Sequence, residues 1–231
     1  MATIYEVADK AGVSLSTVSR VLNGKTTVNP ALKAKVEEAM LALNYRPNSV
    51  ARSLATSRSD SVGILVSELN SPFFGDLMQA VESTLRTADK HVIITVGHNN
   101  LETEQDAVEF LIGRNCDAII MHAEAMSDEY LQTLNSSRLP ISLVNRQVDG
   151  VGEGCIVLDN EKGGYLATQH LISLGHKNIA YISGPSDKRD ANQRLAGHKR
   201  ALKEVGIAFT PNLVFEGSYT EEDAFFSAGM C

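Results

Sequence analysis

The sequence predicts an all-α head followed by an α/β body built on parallel sheets. In the head, residues 1–60, apolar residues recur at helical spacing between short polar turns. In the body, residues 61–231, short apolar runs alternate with amphipathic segments, which is typical of parallel strands joined by helical crossovers. Eight Lys/Arg against five Asp/Glu give the head a charge of +3, whereas 13 against 23 give the body −10. A basic head on an acidic body is expected when only the head contacts nucleic-acid phosphates.

The composition argues against several classes of protein. Cys116, Cys155 and Cys231 are odd in number and far apart, and no CxxC pair occurs, so neither a disulfide framework nor a zinc site is favoured. The first 20 residues lack a signal-peptide pattern, and no apolar run approaches about 18 residues. Phosphate-loop, dinucleotide-binding and serine-hydrolase motifs are absent from the sequence. We therefore expect a soluble, cytoplasmic protein that is not an enzyme and uses no cofactor or metal.

Helix signals divide the head into three helices. The first begins at Ile4, after the capping box that Thr3 and Glu6 form, and ends at Gly12. The turn and cap residues that bound the second and third helices are Ser14, Asn23, Gly24, Asn29 and Pro30. The apolar residues expected to close a small core between the helices are Val18, Val21, Leu22, Val36, Ala39, Met40 and Leu43.

The second helix presents a face suited to reading DNA. The residues left outside the core include Leu15, Ser16, Thr17, Ser19 and Arg20. Their side chains are short or basic, so the helix can approach base edges closely, and an arginine can make a bidentate contact to guanine. Two short helices around a tight turn form the helix-turn-helix layout, whose second helix lies in the major groove. The alternative is a solvated face in an ordinary small bundle.

A third motif follows the head. Pro47 disfavours helix before it, and Asn48 is placed to cap a helix of about two turns over residues 49–56. Such a helix is too short to be stable alone, so a partner should order it. Its apolar face is formed by Val50, Ala51 and Leu54, with Arg46, Arg52 and Arg58 nearby. A leucine beside arginines suits insertion into the minor groove, and the alternative is a linker with incidental apolar residues.

Together, VADKAGVSLSTVSRVLNG, YRPN and VARSLA resemble, in order and spacing, the LacI/GalR family of bacterial transcriptional regulators. The resemblance implies that Leu15, Ser16 and Arg20 read the major groove. It implies backbone or auxiliary DNA contacts for Ser14, Thr17, Ser19 and Asn23. It also implies that Val50, Ala51 and Leu54 belong to a hinge helix, with Leu54 as the intercalating leucine. Family members bind palindromic operators in double-stranded DNA as homodimers. The implied domains are a helix-turn-helix domain over 1–46, a hinge and linker over 47–60, and an effector domain over 61–231.

The body should contain two α/β series, a first lobe over about 61–146 and a second over about 147–231. Buried strands are predicted at 61–67, 91–97, 116–122, 140–146, 155–159, 178–184 and 213–217. Helices are predicted at 75–88, 103–114, 127–136, 161–174 and 190–205. Ligands in such sheets bind beyond the carboxyl ends of the strands. The amides, carboxylates, arginines and aromatic rings found there suit a sugar, although capping and loop roles explain most of them individually.

The body resembles the same family's periplasmic-binding-protein-like core, and its SPFFG and VNR motifs are similar to the galactose-repressor branch. The resemblance implies that a small sugar-like effector is bound by Phe73, Phe74, Arg146, Asp159 and Arg194. Arg194 is the strongest of these, because RLAG lies near the start of a helix that faces the effector cleft in the family. Arg146 could instead be a satisfied charge at a strand end, and Asp159 a helix N-cap.

The second lobe has fewer strands than the family pattern requires, so we expect an incomplete second lobe and a chain truncated at its C-terminal end. The predicted function is a sequence-specific DNA-binding repressor of carbohydrate-utilisation genes, with an operator affinity modulated by the effector. One alternative is a soluble sugar-binding or sugar-processing α/β protein with an incidental helical head. Another is a truncated regulator without function.

Overall fold

The computed structural model describes residues 2–24, 28–47, 58–137, 139–219 and 221–229. The chain folds into two compact units, Met1–Ile141 and Ser142–Cys231. Within the described residues, no helix combines the length and apolarity needed to cross a membrane. The predicted combination of a helical head with an α/β body of parallel strands is confirmed.

The head is built from α1 (Ile4–Ala11), α2 (Leu15–Leu22) and α3 (Pro30–Ala42). All of their predicted caps are present. Thr3 Oγ1 accepts from the backbone N of Glu6 at 3.3 Å, while Glu6 Oε2 accepts from the backbone N of Thr3 at 2.6 Å, which closes the capping box. Gly12 ends α1 with φ of +64°, a value that glycine adopts without strain. Ser14 caps α2, and Asn29 Oδ1 accepts from the backbone N of Ala31 to cap α3.

A continuous apolar core joins the helices of the head. Val7, Val18 and Val36, one from each helix, are fully buried. The predicted core residues that pack around them are Val21, Leu22, Ala39, Met40 and Leu43. Because α2 contributes its buried Val18 and the flanking Val21 and Leu22 to this core, its opposite face is turned outward.

The first α/β unit continues with β1 (Ser61–Val66), α4 (Pro72–Arg86), β2 (His91–Val96), α5 (Leu101–Gly113), β3 (Ala118–Met121), α6 (Asp128–Ser136) and the start of β4 (Ile141–Val144). β1 pairs in parallel with both β2 and β3, with Ser61 opposite His91 and Val62 opposite Ala118. The backbone N of Ile119 donates to the carbonyl of Pro140, directly before β4. The carboxyl ends of β1, β2 and β3 therefore lie at one edge of the sheet.

Helices pack against this sheet closely. Phe74 of α4 is buried against Ile64 and Val66 of β1. A Cβ added to Gly63 would stand 2.7 Å from Leu111 Cδ1 of α5, so glycine allows that helix to approach the strand. One correction concerns β2, which was expected to be buried. Ile94 is 46% exposed because β2 is an edge strand that pairs on one side with β1.

A buried carboxylate holds the loop after β3. Glu104 of α5 is 1% exposed, and its two oxygens accept from the backbone N–H groups of Glu124, Ala125 and Met126 at 3.0–3.2 Å. Each of these donors would otherwise be an unpaired polar group at a partly or wholly buried position. Glu104 therefore fixes the backbone that follows the carboxyl end of β3.

The second unit contains the rest of β4, β5 (Cys155–Ile156), α7 (Asn160–Ser173), β6 (Tyr181–Ser183), α8 (Arg189–Glu204), β7 (Val214–Glu216) and α9 (Glu221–Gly229). β4 pairs in parallel with β5, and β6 pairs in parallel with β7. The three strands predicted within this unit, 155–159, 178–184 and 213–217, are all shorter than expected. The residues Ile156, Val157 and Leu158 are 62%, 48% and 60% exposed, so the prediction of a buried strand at 155–159 was wrong. An apolar run shows that a segment could be buried, but it does not show whether another helix or strand packs over it.

Glycines bring α7 and α8 into backbone contact. A Cβ on Gly164 would stand 2.0 Å from the carbonyl oxygen of Arg194, and one on Gly197 would stand 1.9 Å from that of Glu161. Between the helices, Thr168 Oγ1 donates to Gly164 O and lies 2.9 Å from Nδ1 of the buried His198. The close packing of the two helices fixes the positions of the side chains on the first turns of α8 relative to α7.

Candidate DNA-binding helix and effector-binding residues

The outward face of α2 carries the predicted base-reading side chains. Leu15, Ser16 and Arg20 are exposed, whereas Val18, on the opposite side of the same helix, is 0% exposed. The helix sequence LSTVSRVL contains no Asp or Glu. An acid-free polar face on a helix that is fixed by its apolar side can enter a groove without like-charge repulsion from phosphates.

The amino end of α2 is organised by hydroxyl groups. Ser14 Oγ accepts from the backbone N of Thr17 at 3.2 Å and lies 2.9 Å from both Ser16 Oγ and Thr17 Oγ1. At the other end, Asn23 Nδ2 donates to Ser19 Oγ at 3.4 Å. Helix amino ends and hydroxyl donors are favourable partners for phosphate oxygens. The contacts within this end of α2 thus set the positions of three potential DNA donors before DNA arrives.

Of the ten predicted DNA-contacting residues, seven lie on α2 or its caps: Ser14, Leu15, Ser16, Thr17, Ser19, Arg20 and Asn23. The other three, Val50, Ala51 and Leu54, lie outside the described residues, and the hinge helix stays a prediction. The contact roles assigned to all ten are likewise predictions.

In the first unit, the two predicted phenylalanines differ in exposure. Phe73 is 48% exposed and Phe74 is 7% exposed, with ring centroids 5.1 Å apart in an edge-to-face arrangement. Phe74 also packs edge-to-face on His122, at 5.0 Å. Beside these rings, Ser67 Oγ donates to Asn99 Oδ1 at 2.6 Å and lies 2.9 Å from His122 Nδ1. The edge of the sheet thus offers an aromatic surface next to hydrogen-bonding groups, a combination that suits a polyhydroxylated ligand.

In the second unit, Arg194 is held in a polar network. Its Nε donates to Asn160 Oδ1 at 2.8 Å, and its terminal nitrogen lies 3.0 Å from Asp190 Oδ2. Asn160 in turn donates from Nδ2 to Asn145 Oδ1 at 3.3 Å. Asn160 is 7% exposed and Arg194 is part-buried, so the guanidinium plane is oriented by fixed partners.

Tyr219 closes this network from the other side. Its hydroxyl donates to Asp190 Oδ1 at 3.2 Å, and the guanidinium of Arg194 lies 5.9 Å from its ring centroid. The phenol end packs on Gly184, where an added Cβ would stand 2.0 Å from Cζ of Tyr219. Burial of the hydroxyl end, together with the charge of Asp190, raises the pKa of Tyr219 to about 12. The phenol is therefore a neutral hydrogen-bond donor at ordinary pH.

Asp159 and Arg146 occupy different positions from Arg194. Asp159 caps α7, since its Oδ1 accepts from the backbone N of Lys162 at 2.9 Å, and it is exposed. It lines a cavity of about 360 Å³ that Tyr165 and Arg200 also line. Arg146 follows β4 and is partly buried. Arg194 is linked to the start of α7 by its hydrogen bond to Asn160, the residue that follows Asp159 in the sequence.

Sequence reasoning did not single out several members of these clusters. Ser67 and Tyr219 were not anticipated at all. Asn99, Asn145, Asn160 and Asp190 belong to the amides and carboxylates that were expected beyond the carboxyl ends of the strands, but none of them was given an individual role. His122, directly after β3, is by residue type more simply a satisfied loop or core histidine than a ligand contact. The available signal was position, because most of them follow the carboxyl end of a strand. Residue type did not distinguish them, since asparagine, serine and aspartate are also ordinary turn and cap residues.

Two sequence profiles match the chain. Residues 3–48 match "Bacterial regulatory proteins, lacI family", and residues 59–228 match "Periplasmic binding proteins and sugar binding domain of LacI family". The HTH-type transcriptional regulator GalR of Escherichia coli K12 is 39% identical over 221 residues, which cover 96% of this chain and 64% of GalR. The chain therefore spans less than two thirds of the length of this relative.

Solved structures show the same similarity. The lac repressor dimer bound to operator and the anti-inducer ONPF matches with a TM-score of 0.85 at 29% identity, over 99% of this chain and 69% of that chain. The complex of the transcriptional regulator CelR with cellobiose matches with a TM-score of 0.61 at 30% identity, over 98% of this chain and 69% of that chain. The similarity thus includes both the head and the body.

Proposed function

We propose that this chain, which belongs to the LacI family of bacterial regulatory proteins, is a DNA-binding transcriptional repressor that acts in the cytoplasm. The observation that carries the proposal is the outward face of α2, which is polar, free of acidic residues and held rigidly by Val18 in the head core. In this role α2 enters the major groove of each half of a palindromic operator, and two copies of the chain bind together. Arg20 and Ser16 contact base edges, and Ser14 and Thr17 contact phosphates.

The regulation we propose is linkage between DNA binding and a sugar-like effector. Phe73, Phe74, Arg146, Asp159 and Arg194 are the residues to which we assign effector contacts. The support is chemical: the two phenylalanines offer a ring surface, and the fixed guanidinium of Arg194 offers donors to hydroxyl groups. An effector that favours one conformation of the body changes operator affinity by its coupling free energy. One structural relative binds cellobiose, which agrees with a carbohydrate as effector.

The DNA arm of the proposal is tested with a duplex selected by the purified chain from a randomised pool. Arg20→Ala should weaken binding to that duplex by about 1–3 kcal/mol, the range for a bidentate base contact, while binding to scrambled DNA changes little. Lys35→Ala is the matched control, because Lys35 is an exposed cation on α3 and its removal changes the net charge equally. Equal affinity of the wild-type chain for selected and scrambled duplexes would refute a specific regulator.

The effector arm is tested by thermal stabilisation in a panel of mono- and disaccharides. A sugar that binds the folded state raises the free energy of unfolding as its concentration exceeds the Kd. Arg194→Ala should abolish this stabilisation, whereas Lys203→Ala, which removes an exposed cation near the other end of α8, should retain it. If both variants respond to the sugar as the wild type does, the assignment of Arg194 to the effector is wrong.

A further inference from the structure

A charged cluster joins the amino ends of neighbouring strands at the point where the chain arrives from the head. Lys90 Nζ lies 2.8 Å from Asp60 Oδ1 and 2.8 Å from Asp117 Oδ2. These residues directly precede β1, β2 and β3, so they lie at the sheet edge opposite the carboxyl ends that carry Phe73 and His122. We call Asp60, Lys90 and Asp117, with Ser59, the amino-end cluster.

The cluster also fixes the backbone. Asp117 Oδ1 accepts from the backbone N of Ser59 at 2.8 Å. The carbonyl of Asp60 accepts from the backbone N of His91 at 2.8 Å, and that of Ser61 accepts from the N of Asp117 at 2.7 Å. Asp60 itself has φ of +54°, a left-handed conformation that costs energy for a residue other than glycine. Ionic and backbone bonds thus hold a sharp change of chain direction directly before β1.

The pair Lys90–Asp117 is placed where an ion pair has a larger effect than at an exposed surface, whereas the side chain of Asp60 is 45% exposed. The side chains of Lys90 and Asp117 are 24% and 18% exposed. Hydrogen bonds to Asp117 and Asp60 raise the pKa of Lys90. Burial alone would raise the pKa of Asp117, but the hydrogen bonds from Lys90 and Ser59 outweigh it and lower that pKa. By contrast, the pair Arg86–Glu82 on α4 is a local contact within one helix, with Arg86 77% exposed.

The cluster lies close in sequence to the DNA-binding part of the chain. Ser59 follows Leu54, the proposed wedge residue, by five positions. Five residues span at most about 17 Å, so the anchor at Ser59 restricts where Leu54 can stand. If the chain could enter β1 from many directions, only a fraction of the molecules would be in the conformation that binds the operator. The apparent Kd would rise by the reciprocal of that fraction.

We propose that the amino-end cluster is a positioning device for operator binding, which fixes the start of the body so that the preceding DNA-contacting segment meets the operator in one geometry. The inference rests on the proposed function as a DNA-binding regulator. Lys90 is its central residue, because one ammonium group joins the carboxylates that precede β1 and β3.

The test compares Lys90→Met with Arg86→Met, which removes the same charge from the same unit but leaves the cluster intact. Each purified chain is titrated against the palindromic duplex that the wild type selects and against its scrambled version. We expect Lys90→Met to weaken binding to the selected duplex roughly tenfold and Arg86→Met by less than about twofold. Binding to scrambled DNA should be equal in the two variants. Lys90→Arg, which retains a charged donor, should recover most of the affinity.

If Lys90→Met acted only by unfolding the body, its affinity would change for the selected and the scrambled duplex alike. Thermal unfolding of each variant is therefore followed by circular dichroism, and Asp60→Asn provides a milder change should Lys90→Met not fold. Asp60→Asn should weaken binding to the selected duplex several-fold while the fold stays intact. Two outcomes differ in meaning. If the wild type does not prefer the selected duplex, the proposed function fails. If it does, but folded Lys90→Met or Asp60→Asn binds like Arg86→Met, the inference about the cluster is overturned.

Discussion

The contact between α7 and α8 makes a sharp prediction about two adjacent glycines. Both Gly163 and Gly164 lie in the first half of α7. A Cβ on Gly163 meets nothing within 4 Å, whereas a Cβ on Gly164 would stand 2.0 Å from the carbonyl oxygen of Arg194 and 2.7 Å from its carbonyl carbon. Gly163→Ala and Gly164→Ala are therefore the same chemical change in the same helix, but only the added methyl group at position 164 meets a backbone obstruction.

The magnitudes follow from opposing effects. Alanine is favoured over glycine in a helix interior by about 1 kcal/mol, so Gly163→Ala should raise the free energy of unfolding by about 0.5–1 kcal/mol. At Gly164 that gain is opposed by overpacking of about 3 kcal/mol, the upper part of the usual range, because the obstruction is backbone and not the end of a flexible side chain. Gly164→Ala should thus lose about 2 kcal/mol, and the two variants should differ by about 3 kcal/mol.

Urea unfolding followed by far-ultraviolet circular dichroism measures this difference. With a denaturant dependence of about 2–3 kcal/mol per molar urea, the two midpoints should lie about 1 M apart. The displaced backbone is that of Arg194, so Gly164→Ala should also reduce the response to a stabilising sugar, while Gly163→Ala should retain it. Equal midpoints for the two variants would refute the close packing of α7 on α8.

Further predictions concern buried groups and a cap. Glu104→Leu leaves the backbone N–H groups after β3 without their acceptor and should lower the free energy of unfolding by about 3 kcal/mol, with Glu102→Leu in the same helix as the exposed control. Burial and then the charge of Lys199 lower the pKa of His198. The unfolded chain therefore binds more protons, and stability should fall as pH drops below about 6.5, a slope that urea midpoints of His198→Gln should lack. Thr3→Ala removes the cap of α1 and should cost about 1 kcal/mol in thermal unfolding, whereas Thr87→Ala, outside the head, should leave the head transition unchanged.

The parts of the fold that the sequence predicted well are those fixed by neighbouring residues. Thr3, Ser14 and Asn29 each accept a hydrogen bond from a backbone N two or three positions along the chain, so their pattern is complete within one short segment. Gly12 likewise takes the left-handed conformation that commonly ends a helix. The starts of the three head helices and the ends of the first two could therefore be predicted to within a residue.

What could not be predicted depends on distant parts of the chain. Glu104 receives donors from residues 20 to 22 positions away, and His198 meets Thr168 across 30 positions. A polar residue in an amphipathic segment is usually exposed, so nothing local marks these two as buried. The same limit explains Ile94 and Ile156, whose apolar character indicated burial although both are exposed.

The proposed effector residues show the limit most clearly, because Asp159 and Asn160 are adjacent and yet have different partners. The carboxylate of Asp159 turns back to cap α7, while the amide of Asn160 receives the guanidinium of Arg194. Because Asn160 and Asp190 hold that guanidinium from two sides, a ligand hydroxyl would meet a donor whose plane is already set and would need little reorganisation. A site arranged in this way recognises a hydroxyl by its position, because the guanidinium fork presents its remaining donors in directions that Asn160 and Asp190 have already set. The specificity of the proposed effector site should therefore reside in hydroxyl position and not in ring size.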